Sequence, residues 1–274
     1  MSDGRFKTDI GIGATDELSL RVSVAALVRV LFVHPQNGQP MLALERRATL
    51  LEEAGRHRVQ VKSQPFGGAI RMYVLKPLQT LIGNFHFDSE EARAERDFRL
   101  FIRPSAWEAL REFCLEQFKI ATGSILECDP RRELTEEFTE ALGVDLKPDQ
   151  YTYRAVGTIV EDHPSATENA HARGRPTVRL YRIFETHILD SALSAAMLAH
   201  SETTSDQHLR ELARESITGR ANAVLTLPLK QITAFYEQTT LEERNSPISF
   251  QSHLLDETVA AVLENLTVPK YRRS

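Results

Sequence analysis

The feature that most constrains this chain is Arg132-Glu133-Leu134-Thr135-Glu136-Glu137, followed one turn later by Glu140. Read as a helix, Glu133, Glu136, Glu137 and Glu140 fall at i, i+3, i+4 and i+7, which puts their carboxylates on one face. Like charges at that spacing cost a bare helix a few tenths of a kcal/mol per pair. A hard divalent cation, Mg²⁺ first and Mn²⁺ second, offsets such a cost by taking carboxylate oxygens as ligands. The helix begins with Asp129 as N-cap and Pro130 at N1, and ends near Leu142 with Gly143 at C′. An acidic helix face taken alone is more often simply solvated. The surrounding chain therefore has to decide between solvent and metal.

Bulk properties remove several classes. The chain has 274 residues, 42% of them hydrophobic, enough to bury a core without staples. Its 33 basic and 38 acidic residues leave a net charge of −5, so no global basic surface argues for nucleic acid. Cys114 and Cys128 form neither a disulfide framework nor a zinc spacing and suit a reducing, cytoplasmic location. The start of the chain lacks the apolar core of a secretory signal. The most apolar run, Val22 to Val33, contains Arg29 and is much shorter than the ~20 residues that span a bilayer. It reads as a buried strand, and no membrane association is expected.

Residues 1–18 are a polar lead-in, and 19–270 are expected to form one domain. Ser19 to Val33 suits a long strand. The turn-rich His34 to Pro40, with Asn37-Gly38 at its centre, sends the chain back as Met41 to Arg47, a hairpin. His57 to Ser63 is a further extended piece that enters Gln64-Pro65-Phe66-Gly67-Gly68, where the glycine pair permits close backbone approach or positive φ. Residues 74 to about 128 read as a helical insertion, with helix starts at Asp88-Ser89-Glu90-Glu91 and Ser105-Ala106-Trp107-Glu108. Trp107, Leu110, Phe113, Leu115 and Phe118 form an apolar stripe suited to core packing or to a homodimer contact. Tyr151 to Val160 and Thr177 to Leu189 read as strands, 190–222 as helix and loop, and Ala223 to Leu229 as a short strand. Ser252 to Leu266 reads as a closing helix.

The hairpin, the Gly-Gly, the Arg-Glu-Leu-x-Glu-Glu helix and the strands after it together resemble a Nudix hydrolase. The family box, G-x5-E-x7-R-E-U-x-E-E-x-G-U, is matched in its second half by Arg132, Glu133, Leu134, Glu136 and Glu137. Pro65-Phe66-Gly67-Gly68 is similar to the Pro-Gly-Gly that opens the box in many members. The chain departs from the pattern in three places. The first-half glutamate is absent, about 60 residues separate Gly68 from Arg132, and Thr139 and Glu140 replace the box glycine and aliphatic. The resemblance implies an α+β or α/β fold, a Nudix-like mixed sheet sandwiched between helices with the inserted segment added. It implies Mg²⁺-dependent cleavage of a phosphoanhydride in a nucleoside diphosphate linked to another group, such as a nucleotide, an ADP-ribose-like compound or a dinucleotide.

By the same resemblance Glu136 and Glu137 are metal ligands, Glu133 a ligand or general base, and Gly67 or Gly68 a carbonyl donor. Glu140 is an additional ligand candidate that the family pattern does not supply. Arg132 would orient the box, with Glu127 or Asp129 in place of its missing partner. Arg46, Arg47, Arg175 and Arg179 are candidates to grip the substrate phosphates. Strand alternation places Arg175, Arg179 and Tyr181 on one face. Glu161 and Glu185 stand where some members carry another catalytic carboxylate, although Glu161 reads better as a surface charge. His163 and His171 lack metal spacing and read as loop residues. The alternative is a catalytically impaired Nudix-fold module that binds a nucleotide without turning it over.

Overall fold

The computed structural model describes residues 17–53, 55–120, 123–167, 171–244, 246–264 and 270–272. Most of the expected lead-in therefore lies outside the described residues. In chain order the first elements are β1 (Leu20–Val33), β2 (Pro40–Glu53), β3 (Arg56–Gln64), β4 (Phe66–Ala69), α1 (Lys76–Ile82), β5 (His86–Phe87), α2 (Glu90–Glu95), β6 (Arg99–Ile102) and α3 (Trp107–Lys119). Then come α4 (Arg131–Leu142), β7 (Tyr151–Ala166), β8 (Pro176–Ile188), α5 (Ser191–Thr203), α6 (Asp206–Glu215) and β9 (Arg220–Pro228). The last are α7 (Leu229–Gln238), α8 (Leu241–Arg244), β10 (Ile248–Phe250), β11 (His253–Leu255), α9 (Thr258–Leu263) and β12 (Lys270–Arg272).

β1 organises the sheet, and its Val-, Leu- and Ala-rich sequence reflects burial on both faces. One edge pairs in parallel with β8, from Arg21 opposite Thr177 to Leu31 opposite His187. Three antiparallel strands share the other edge: β2 on Val30–Val33, β4 on Ala25–Val28 and β6 on Leu20–Ser23. The main strand order is β10-β11-β3-β2-β1-β8-β7-β12, with β9 beside β2. Even-numbered residues of β1 join a core with α3, α4 and α5; Ala25 and Leu27 pack with β8 and α9 on the other face. This is the mixed sheet between helices that the sequence led us to expect.

The inserted segment differs from its all-helical reading. β6 returns to the central sheet and completes the edge of β1. Asp88 does not cap α2; Ser89 does, accepting from the Ala92 N–H, while Asp88 holds Arg21. α3 is entered through a 3-10 turn at Pro104–Ala106 rather than through a Ser105 capping box. Its stripe of Trp107, Leu110, Leu115 and Phe118 is buried in the main core, so the packing reading of the stripe holds within one chain. The expected closing helix is shorter, because His253–Leu255 pairs with β10 and β3 before α9 begins. The polar stretch after residue 190 forms two helices, α5 and α6.

Candidate functional site

α4 forms the acid end of the site. Leu134, Phe138 and Ala141, at i, i+4 and i+7, bury one stripe of the helix, and Phe138 stacks on Phe66 at 4.9 Å. The helix starts one residue later than expected: Asp129 accepts from the Arg131 N–H, and Gly143 closes the other end at φ 67°. β2 and β4 take successive stretches of one edge of β1 and must diverge where the partner changes. α4 packs against both β4 and β9, so its acidic face looks into the wedge that this divergence opens.

Gly67 and Gly68 press against that face. Gly67 sits at φ 122°, and its N–H donates to Glu137 Oε2 at 2.5 Å. A Cβ on Gly67 would collide with the Ala26 carbonyl, and one on Gly68 with the Glu133 carboxylate. Glycine at 67 is therefore a steric requirement for laying β4 on β1, whereas a side chain at 68 would have to displace the Glu133 carboxylate from its place.

Glu137 is 5% exposed and lies beside Glu45 of β2, which is fully buried. Arg47 donates to Glu45 Oε1 at 2.8 Å and stands 3.7 Å from Glu137 Oε1, while Gln64 donates to Glu45 Oε2 at 2.8 Å. Burial, followed by the charge of Glu45, pushes the Glu137 carboxyl well above its ordinary value. Burial also raises Glu133, to about 7, with Glu136, Glu127 and Asp97 reinforcing the shift and Arg132 opposing it. Glu45 was missed by motif reading. Its signal is an acid in the apolar strand Met41-Leu42-Ala43-Leu44, two residues from Arg47 on the same strand face.

Arg132 is oriented as expected, and its partner is Glu127. Its Nε and terminal nitrogen reach the two Glu127 oxygens at 2.8 and 2.7 Å, and its other terminal nitrogen donates to Glu136 at 2.8 Å. The second of these nitrogens also stands 2.5 Å from Glu133 Oε1. Asp129 is occupied by Arg131 instead. Glu140 accepts from Asn222 of β9 at 2.6 Å and still lines the cleft.

The four candidate arginines separate. Arg47 and Arg179 line the cleft, a groove of about 1000 Å³ that also holds Gly67, Gly68, Arg132 and the α4 carboxylates. Arg46 points to the opposite face of β2, where it donates to the Thr204 carbonyl and pairs with Asp206 at 3.8 Å. Strand alternation makes that separation unavoidable for adjacent residues. Arg175 is exposed over the Phe101 ring and is absent from the cleft lining. Glu185 pairs with Arg154 and His187 away from the cleft, and Glu161 stands 3.5 Å from Arg179. His163 lies within β7, not in a loop, and His171 reaches the cleft wall.

The donor set suits a hard cation. It consists of carboxylates and glycine carbonyls, two of its acids carry burial-raised protonation, and Gly68 is cut away where Glu133 sits. Among the described residues no three His, Cys, Asp or Glu side chains already stand at chelating distance from one point. Arg47 and Arg132 hold the acids apart. Among the described residues, no helix is long and apolar enough to cross a membrane.

The sequence model of the SMODS-associated NUDIX domain family matches residues 19–220, a span that includes both glycines, the inserted segment and α4. No curated protein and no solved structure matches the chain.

Proposed function

The chain belongs to the SMODS-associated NUDIX domain family, and from that premise we propose that it hydrolyses a phosphoanhydride in a Mg²⁺-dependent reaction. The substrate class is a nucleoside diphosphate linked to another moiety: a nucleotide, an ADP-ribose-like compound or a dinucleotide. The observation that carries this reading is the pairing of buried Glu137 with buried Glu45 against Gly67. Two acids stripped of water and sharing one arginine form a site short of positive charge. Glu133, Glu136 and Glu137, with the Gly67 or Gly68 carbonyl, would hold Mg²⁺ or Mn²⁺; Glu140 and Glu45 are additional donors. When bound, the metal neutralises phosphate oxygens and lowers the pKa of a coordinated water.

The chain's own residues do the rest. Glu133, raised to about 7, is poised near neutrality to take a proton from water. Arg132, locked by Glu127, fixes the Glu133 and Glu136 side chains. Arg47 and Arg179 present guanidiniums to the phosphates along the groove. One domain over 19–270 supports the site, since α9 and β9 both contribute to its surroundings.

The test is incubation with Mg²⁺ and a panel of nucleotides and dinucleotides, scoring released phosphate, pyrophosphate and nucleoside monophosphate. Metal-dependent turnover that Glu137→Gln abolishes is the expected result. Binding across the panel without turnover would replace the hydrolase with the nucleotide-binding module. That second reading is favoured by the two arginines that already occupy the acids.

A further inference from the structure

At the end of the cleft away from α4 the charge reverses. Ser23 of β1 stands opposite Arg99 of β6 on one side and opposite Arg179 of β8 on the other. Arg21 lies two residues along the same strand face. All four residues line the groove. The three guanidiniums are close enough to feel one another: burial, and then Arg99 and Arg179, work to lower Arg21 from its usual value against the support of Asp88.

Each cation is braced. Asp88 Oδ2 accepts two hydrogen bonds from Arg21, at 2.9 and 2.6 Å. Asp97 accepts from Arg99, and Arg179 donates to the Ser165 hydroxyl at 2.6 Å with Glu161 at 3.5 Å. Of these carboxylates, Asp97 alone belongs to the groove lining. Arg99 and Arg179 are partly exposed to the cleft, while Arg21, 2% exposed, adds its charge from beneath; Glu257, whose charge acts on Arg179, also lines the groove. The Arg99 Nε is buried without a hydrogen-bond partner, so the hydrogen bonding of this guanidinium is incomplete.

The floor between the two ends is smooth. Ala25 pairs with Ala69 and Leu27 with Gly67, so small or flat residues run from the acid end to Ser23. Leu27 to Ser23 is four strand residues, about 13 Å at ~3.3 Å per residue. An elongated ligand lying on this floor would meet carboxylates at one end and arginines at the other.

We propose that Arg21, Arg99 and Arg179 form a second anion subsite, and that the cleft takes a nucleoside diphosphate conjugate carrying a further phosphate monoester remote from its phosphoanhydride. The planar guanidinium fork matches phosphate oxygens in pairs, which suits a terminal monoester better than a diester. The inserted segment acquires a role here: it delivers Arg99, Asp88 and Asp97 to the edge of β1. The assignment of the phosphoanhydride to the acid end rests on the hydrolase reading; the subsite itself requires no turnover.

The test is calorimetric binding to the full chain in EDTA, using two ligand pairs that differ by one phosphate monoester: NAD⁺ with NADP⁺, and dephospho-coenzyme A with coenzyme A. In at least one pair the phosphorylated member is expected to bind about 10-fold tighter or more. Arg99→Gln is expected to remove most of that preference, and Arg99→Lys to restore part of it. If Arg99→Gln fails to fold, Arg179→Gln carries the same expectation. Equal affinity within both pairs, or a preference that survives the arginine substitutions, overturns the subsite. Preference without Mg²⁺-dependent turnover would count against the hydrolase alone, and turnover without preference against the subsite alone.

Discussion

The two ends of the cleft are built in opposite ways. The acid end is mostly local: Glu133, Glu136, Glu137 and Glu140 come from one helix and converge through the 3.6-residue repeat, and only Glu45 joins them from β2. The basic end is assembled: Arg21, Arg99 and Arg179 come from three strands, separated by 78 or more residues between successive members, and meet because of register across β1. Charge at the acid end is concentrated against burial, which pushes the Glu133 and Glu137 carboxyls above their ordinary values. Charge at the basic end is spread over a sheet face and backed by separate acids. A site of one kind can be read from a motif, and a site of the other kind cannot.

The largest expected effect breaks the support of the acid end. Phe138→Ala should destabilise the protein by about 3–5 kcal/mol, since a buried aromatic leaves a cavity under α4. Urea unfolding measures it, and a loss under about 1 kcal/mol would show that the Phe66 contact does not seat the helix. Next is Glu137→Gln, which should lower turnover at least about 100-fold, the scale of losing one preorganised electrostatic partner. A variant as fast as the parent would remove the acid end from the chemistry. Glu127→Gln tests whether Arg132 needs its clamp. Metal affinity should fall by about 10-fold, read by titration of Mn²⁺, as expected for a residue that orients ligands.

Proton binding sharpens the same contrast. Glu133 titrates at about 7 in the folded chain, against an ordinary 4.5, so the folded state binds the proton more tightly. The stability this contributes is full below about 4.5 and is lost as pH rises through about 7. Without divalent metal, Glu133→Gln should therefore flatten the fall in melting temperature over that window. Mg²⁺ binds the ionised form and should raise the melting temperature more at about pH 8 than at about pH 5.5. Equal shifts at both values would mean that Glu133 is not a ligand. The smallest effect belongs to Arg175→Gln, which should leave turnover and ligand affinity within about twofold because the side chain stands outside the groove.

Much of the fold was legible where one local rule dominated. β1, the Asn37-Gly38 hairpin, the Gly67-Gly68 approach and the C-terminus of α4 follow from apolar runs, turn chemistry and the αL residue Gly143. Misreadings came where tertiary partners outbid local preference. Asp88 is a sound N-cap by type, yet buried Arg21 required a carboxylate, and Ser89 took the cap. His253–Leu255 joined a sheet edge that no local pattern announces. Arg46 and Arg47 were indistinguishable as neighbours in sequence until the sheet sent one to α6 and the other to Glu137.

Sequence alone determined the acidic face of α4, the glycines that admit it and the family to which they belong. Periodicity and steric allowance act over a few residues and need no distant partner. Tertiary structure decided which arginines reach the groove, that Glu45 stands beside Glu137, and that the inserted segment adds a strand bearing Arg99. Those outcomes depend on how one edge of β1 is divided among three strands, a choice settled by the packing of the whole sheet.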